Sequence, residues 1–298
     1  MTEKRKGKLM NNYHFITFIV LGVLLLGLAL AGCVALPVEP TKMVEHTYTI
    51  TDSFEALDVR TYGCDVVLQT SQDGTCTVLC QETEDNPHDV AVKDGVLTVS
   101  PQKNSETIVN PGNVTFAVTI FLPQTTYNRM TIQTSSGDVK VPEDFSFTEA
   151  SVQTSSGDLS MQAKVEEKLS VKTSSGDLYL EGLAPKSLEA SSSSGDMDLV
   201  RLTGGQAEVG SSSGEILLDG VVLSGELSVK TSSGDIQLKE CDAAEIHIVT
   251  SSGDVKGNLL SGKVFKTKTS SGKMDVTSTE GGLCEIQTSS GDVSVTTP

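Results

Sequence analysis

Tryptophan is absent and other aromatics are few, with five Tyr and eight Phe in 298 residues. A core must therefore be built from Val, Leu and Ile. The abundant Ser, Thr and Gly around them suit strands and tight turns better than helices. Basic residues are scarce as well: 22 Lys and Arg face 39 Asp and Glu, a formal charge of −17. The first eight residues carry Lys4, Arg5, Lys6 and Lys8 against Glu3, a local +3, so the rest of the chain holds about −20. Such an acidic body repels nucleic acid and anionic lipid, which require basic patches. Cations and cationic surfaces remain as partners. There is no CxxC and no Cys/His set with zinc spacing, so neither a metal nor a cofactor is expected.

Charge is missing altogether from Asn11 to Val38. A basic start, an apolar run (FITFIVLGVLLLGLALA, 15–31) and small residues before Cys33 describe an export signal. Leu30-Ala31-Gly32-Cys33 resembles the lipobox of bacterial lipoproteins, which implies cleavage before Cys33 and a diacylglycerol on its sulfur. The same run is long enough to cross a bilayer uncut. Residues 1–33 are therefore expected to be a lipoprotein signal or a membrane anchor, with the membrane as partner and everything from residue 34 on the extracytoplasmic side.

Cys64, Cys76, Cys80, Cys241 and Cys284 are an odd number, so at least one is unpaired. Cys76 and Cys80 on one strand would be about 13 Å apart, too far to bridge. A Cys64 bridge to Cys76 or Cys80 stays open. The simpler expectation is that the cysteines are small buried apolar residues.

What is present in excess is one pentapeptide. TSSGD stands at 134–138 and returns at 154, 173, 231, 250 and 288, with SSSGD at 192, SSSGE at 211 and TSSGK at 269. Its glycines (Gly137, Gly157, Gly176, Gly195, Gly214, Gly234, Gly253, Gly272, Gly291) are 19 or 20 residues apart. A fixed period of that size marks a solenoid. In LSVKTSSGDLYLEGLAPKS (169–187), Leu169, Val171 and Thr173 alternate with polar residues, as do Leu178 and Leu180. Both flanks of SSGD thus read as strands. The expected fold is all-β: a parallel β-solenoid of about nine regular coils over 129–298, each strand pairing with its copy in the next coil. SSGD is the corner, with Gly expected to supply φ > 0, and Asp and Ser to cap nearby backbone. The inward Thr is expected to form a hydroxyl ladder from coil to coil.

Residues 34–44, with two prolines, read as a tether. Residues 45–128 read as irregular coils plus a hairpin turning at Asp94-Gly95, capping the start of the rod. The last coil stops at Val295 with no cap, so end-on self-association through that coil is an expectation.

FLPQTTYNRMTIQTSSGDVKV (121–141) and the SSGD repeats after it resemble a family of exported bacterial domains of unknown function, often labelled "putative adhesin". The resemblance covers about 45–298. It implies a β-solenoid tied to the cell envelope, and no catalytic residues.

Chemistry in the repeat has bland alternatives. Asp138, Asp158, Asp177, Asp196, Glu215, Asp235, Asp254 and Asp292 should stack about 4.8 Å apart, a candidate cation ladder interrupted by Lys273. The repeat lacks the nonapeptide that binds Ca²⁺ in other β-rolls, so structural turns are the stronger reading. Gly210-Ser211-Ser212-Ser213-Gly214 fits a nucleophile elbow, but its flanks are strands rather than strand and helix. Asn113-Val114-Thr115 fits a glycan acceptor. The expected function is a non-catalytic, adhesin-like envelope module whose ligand is an unknown envelope or extracellular component. The outward Lys140, Lys172, Lys230, Lys256 and Lys268 are candidate contacts with wall polymers. The alternatives are an envelope-stress protein binding a membrane partner or a cationic antimicrobial, and lastly a wall-acting hydrolase.

Overall fold

A computed structural model describes residues 19–20, 42–102 and 116–298. The expected signal, its Cys33 and the Asn113 sequon lie outside the described residues, apart from a two-residue strand, Ile19–Val20, paired with Thr47 and His46. No helix of the described residues is long and apolar enough to cross a membrane.

Among the described residues strands alone make the fold, in one 14-stranded sheet, one 12-stranded sheet and a two-stranded ribbon. The regular coils contribute one strand to each large sheet. Alternation decides which side chains face inward. In Leu178–Glu181 and Met197–Val200, Leu178, Leu180, Met197 and Leu199 are buried while Tyr179 and Asp198 point out. Successive coils pair in parallel and in register, Leu178 on Met197 and Leu180 on Leu199, so like residues stack into columns. One column runs through Leu169, Leu188, Ala207, Leu227, Ile246 and Cys284. Burying each large aliphatic in such a column contributes about 1.5–3 kcal/mol. The few aromatics gather near the start of the rod, where Tyr127 lies 5.7 Å from Phe54 and 5.9 Å from Phe147, centroid to centroid.

The first turns depart from the coil pattern. Met43–Ile50, Cys76–Thr83 and Phe116–Leu122 pair antiparallel in sequence. The first of these begins inside the segment expected as tether. His88–Lys93 and Val96–Pro101 form the expected hairpin, with Asp94 and Gly95 both at positive φ, 50° and 74°, as a two-residue hairpin turn requires.

Coil order departs from chain order at both ends. Ala56–Arg60 and Cys64–Thr70 sit directly beneath the coil of Thr126–Gln133 and Val139–Val141. The strands that intervene in sequence, Val96–Pro101 and Phe116–Leu122, pair on their far side. At the other end Val293–Thr296 lies between Val255–Leu259 and Met274–Val276, and Gly282–Gln287 lies between Glu245–Val249 and Lys263–Lys268. The last coil is therefore internal. The rod ends on residues 263–276, not on the uncapped coil at Val295 expected from sequence. That terminal edge carries Lys266, Lys268 and Lys273, charges that discourage strand addition.

Lys263 shows one side-chain basis for the exchange. Its ammonium is buried and reaches past the intervening coil to Ala243 O, 2.8 Å, and Asp242 Oδ1, 2.7 Å. Gly282 leaves it room, since a Cβ there would be 3.3 Å from Lys263 Nζ. Burial pushes the Asp242 carboxyl up, but hydrogen bonds from Lys263 and Ser261 and the lysine charge outweigh this and hold it below the usual carboxylate range.

All five cysteines of the described residues are free and buried. The Cys64–Cys76 or Cys64–Cys80 bridge left open by the sequence is not formed. Burial pushes the thiols of Cys64, Cys76 and Cys284 up to about 12, which disfavours the thiolate that oxidation and exchange require.

Candidate functional site: the corner ladder and its trough

The SSGD corners stack, and each residue has a distinct task. None of the nine corner glycines lies at positive φ, contrary to the sequence expectation. They are glycine because coils approach too closely for anything else. A Cβ on Gly157 would fall 1.9 Å from Gly137 O, and one on Gly176 1.9 Å from Gly157 O. The same holds up the column, with Gly291 against Gly253 and Gly272 against Gly291. Cys64 occupies the glycine position of the first corner, TYGCD at 61–65, and Gly137 stacks upon it. Its backbone partner in the next strand outward is Phe116 rather than another SSGD corner.

The Thr before each SSGD is buried in most coils. The expected hydroxyl-to-hydroxyl ladder is found at one rung, Thr61 Oγ1 to Thr134 Oγ1, 2.9 Å. At Thr134 and in the coils above it the hydroxyl accepts the N–H of its own corner glycine, as in Gly137 N–H to Thr134 Oγ1, 3.2 Å, and Gly176 N–H to Thr173 Oγ1, 3.1 Å. Thr154 Oγ1 in turn donates to Gly137 O, 3.3 Å. Ser211 Oγ likewise accepts the N–H of Gly214, 3.0 Å, so the Ser of the GSSSG stretch caps a turn.

The acidic residues also bond along the axis. Asp138 N–H donates to Asp65 Oδ1, Asp158 N–H to Asp138 Oδ1, Asp177 N–H to Asp158 Oδ1 and Asp196 N–H to Asp177 Oδ1, at 2.8–2.9 Å. Glu215 N–H continues on Asp196, Asp254 N–H on Asp235, Asp292 N–H on Asp254 and Lys273 N–H on Asp292. The series skips the step from Glu215 to Asp235. Lys273 therefore ends the ladder rather than interrupting it: its coil is the outermost in space, and no further N–H needs an acceptor. Asp65 begins it and was not recognised from sequence, although TYGCD keeps the Thr and Asp of TSSGD at the same spacing. An acceptor role predicts that Asp177→Ala costs about 1 kcal/mol of stability and that Asp177→Asn is close to neutral, since the amide oxygen still accepts. Denaturant unfolding of the two variants checks this; equal losses would deny the role.

Beside the ladder, the outward row Lys140, Ser160, Tyr179, Asp198 and Leu217 forms the floor of an open trough of about 580 Å³ walled by Asp138, Asp158, Asp177, Asp196 and Glu215. Its electrostatics are those of crowded acid. Burial pushes the Asp198 carboxyl up, and the charges of Asp196 and Asp177 add to this. Tyr179 donates to Glu181, 2.7 Å, which raises its phenol. The trough can attract cations and offers the Tyr179 ring and Leu217 as apolar contacts. Most of the outward lysines are tied to acids: Lys172 to Glu189, Lys230 to Glu208 and Lys256 to Asp254, at 2.5, 3.0 and 2.7 Å. Such exposed pairs are worth little. His247 lies near Glu245 and Glu285 on the outer face, two coils from Ser211.

No curated protein matches the chain. Similar solved structures include a protein described as a "putative adhesin" from Bacteroides fragilis NCTC 9343, 18% identical, with 87% of this chain and 99% of that one covered and a TM-score of 0.49. Another of the same description is from Parabacteroides distasonis ATCC 8503, 13% identical, covering 87% and 98%, TM-score 0.45. A third, from the same species and strain, is described as a "putative lipid binding protein", 14% identical, covering 84% and 96%, TM-score 0.40. The family described as Toastrack DUF4097 matches residues 54–296, from before the first corner to the end of the last strand. With stacked SSGD coils over that span, this chain belongs to the Toastrack DUF4097 family.

Proposed function

We propose that this chain is a non-catalytic rod of the cell envelope that binds an envelope or extracellular ligand along its outer faces. It would be held at the outer face of the cytoplasmic membrane by a lipid on Cys33 or by the apolar N-terminal segment. One observation carries the reading. The Thr, Gly and Asp of the repeat are engaged in closing the corners and stacking coil on coil, while the outward residues stand in continuous rows at the spacing of stacked strands. Many weak contacts on such rows act together. Adhesion is what two of the three similar proteins are named for, and the outer rows offer a physical basis for it here.

The acidic trough favours a cationic ligand, and so lends support to the second reading, a protein that senses a cationic antimicrobial or the basic segment of a membrane partner. The test is binding of the full chain, in detergent, to wall polymer, host matrix and a cationic amphipathic peptide. Saturable binding to at least one is expected. The triple variant Asp177→Asn, Asp196→Asn, Asp198→Asn keeps the ladder's acceptors and removes three charges. It should weaken binding of the cationic peptide about tenfold, as loss of a few exposed charge pairs would. No saturable binding to any of the three would end the proposal, and release of soluble fragments from wall polymer would end its non-catalytic part.

A further inference from the structure

The sequence shows no metal-binding spacing, yet the cap assembles a metal-ligand set from two sheets. Cys76–Thr83 pairs antiparallel with Met43–Ile50, placing His46 opposite Cys80 and Val44 opposite Glu82. Cys80 and Glu82 are two apart on this strand, so both face inward, as their burial confirms. The chain then reverses through a tight turn closed by Thr83 and Asn86, and the opposite sheet begins at His88. The result is a buried carboxylate between two imidazoles. Glu82 Oε1 is 2.5 Å from His46 Nδ1, and Glu82 Oε2 is 2.6 Å from His88 Nδ1 and accepts His88 N–H at 2.7 Å. Tyr48 Oη fixes the His88 backbone by donating to its carbonyl, 3.1 Å.

Two features are not explained by an ion-pair network alone. Donor atoms of Cys80, Glu82 and His88 all lie within 4.8 Å of one another, and the three residues are 0%, 2% and 4% exposed. The remaining ring nitrogen of His88, Nε2, is buried without any hydrogen-bond partner, a costly state for a polar atom. A thiol, a carboxylate and an imidazole converging in one buried place are the donors that bind borderline d-block dications, zinc above all.

We propose that Cys80, Glu82 and His88 bind a zinc-class divalent ion, with His46 at the more open side as the fourth ligand or the group that holds a fourth-position water. The Cys80 thiol gives its proton to solvent on binding, as metal thiolates require. The ion would tie Cys76–Thr83 of the large sheet to His88–Lys93 of the smaller one. This cap has no SSGD corner to hold its layers together, so the metal would do there what the Asp ladder does along the rod. The site lies apart from the trough, and its failure would leave the proposed function untouched.

Cobalt(II) is the probe. The full chain, purified in detergent and stripped with chelator, should bind one equivalent of cobalt chloride with a near-ultraviolet thiolate-to-cobalt band and the visible bands of a tetrahedral ion, both abolished by zinc. Carboxylates of the corner ladder would give no thiolate band. Cys80→Ser should lose the band, whereas Cys33→Ser and Cys284→Ser should keep it. His88→Gln should weaken cobalt binding at least about tenfold, the size of loss that even a supporting residue of a metal site produces. Zinc should raise the melting temperature of the parent chain. A parent chain with no thiolate band overturns the proposal whatever the variants do. So does a band that survives Cys80→Ser or, if that variant does not fold, cobalt affinity unchanged in His88→Gln.

Discussion

Gly176→Ala will break the rod at its middle. The new Cβ would lie 1.9 Å from Gly157 O and 2.4 Å from its carbonyl carbon, and backbone on both sides is locked into two sheets. The coils must part locally, and a loss of at least about 3 kcal/mol is expected, a large share of a domain's stability. Gly182 in the same coil supplies the control. It has φ +69° and nothing within 4 Å of its Cβ position, so Gly182→Ala should show only the backbone penalty of about 1–2 kcal/mol. Because each coil contacts only its neighbours, the damage should centre on residues 150–200 in hydrogen exchange rather than spread evenly. If the two variants are equally destabilised, close stacking is not why the corners are glycine.

Deleting residues 282–298 will cost two coils, although it removes one. Lys263–Lys268 and Met274–Val276 are the outermost strands of their sheets, and each pairs only with the segment deleted. Limited proteolysis of the truncated chain should cut back to about residue 260. Stacking in chain order would leave 263–276 paired on its predecessor and protected. Cross-linking reads the same point in the intact chain. Lys256 is in register with Ser294, one strand spacing of about 4.8 Å away, within disulfide reach. Asp275 is in register with Ser294 on its other side, two spacings from Lys256. Lys256→Cys with Ser294→Cys should therefore bridge under oxidation, and Lys256→Cys with Asp275→Cys should not. The reverse result would restore the uncapped C-terminal coil.

The strands of the regular coils were legible because two periods coincide in them. Alternation of Leu169, Val171 and Thr173 with polar residues names the inward face, and recurrence after 19 residues names the neighbour. Cys284 could be placed in the core by register alone. The strand Met43–Ile50 was not legible, because MVEHTYTI has weak alternation and follows a Pro-containing segment. The cluster at Cys80, Glu82 and His88 was not legible either. Its members have no metal spacing and meet only because Thr83–Asn86 reverses the chain between sheets.

By itself the sequence determined that this chain winds in coils of nineteen or twenty residues, which side chains fill the interior, and where the corners fall. These follow from local alternation and a repeated turn. Only the tertiary structure decided the reason for glycine, the direction of the aspartate ladder and the order of coils at both ends. Near-identical coils present near-identical edges, so no local pattern says which edge a strand will meet. That choice falls to contacts between distant residues, such as the Lys263 ammonium passing Gly282 to reach Ala243.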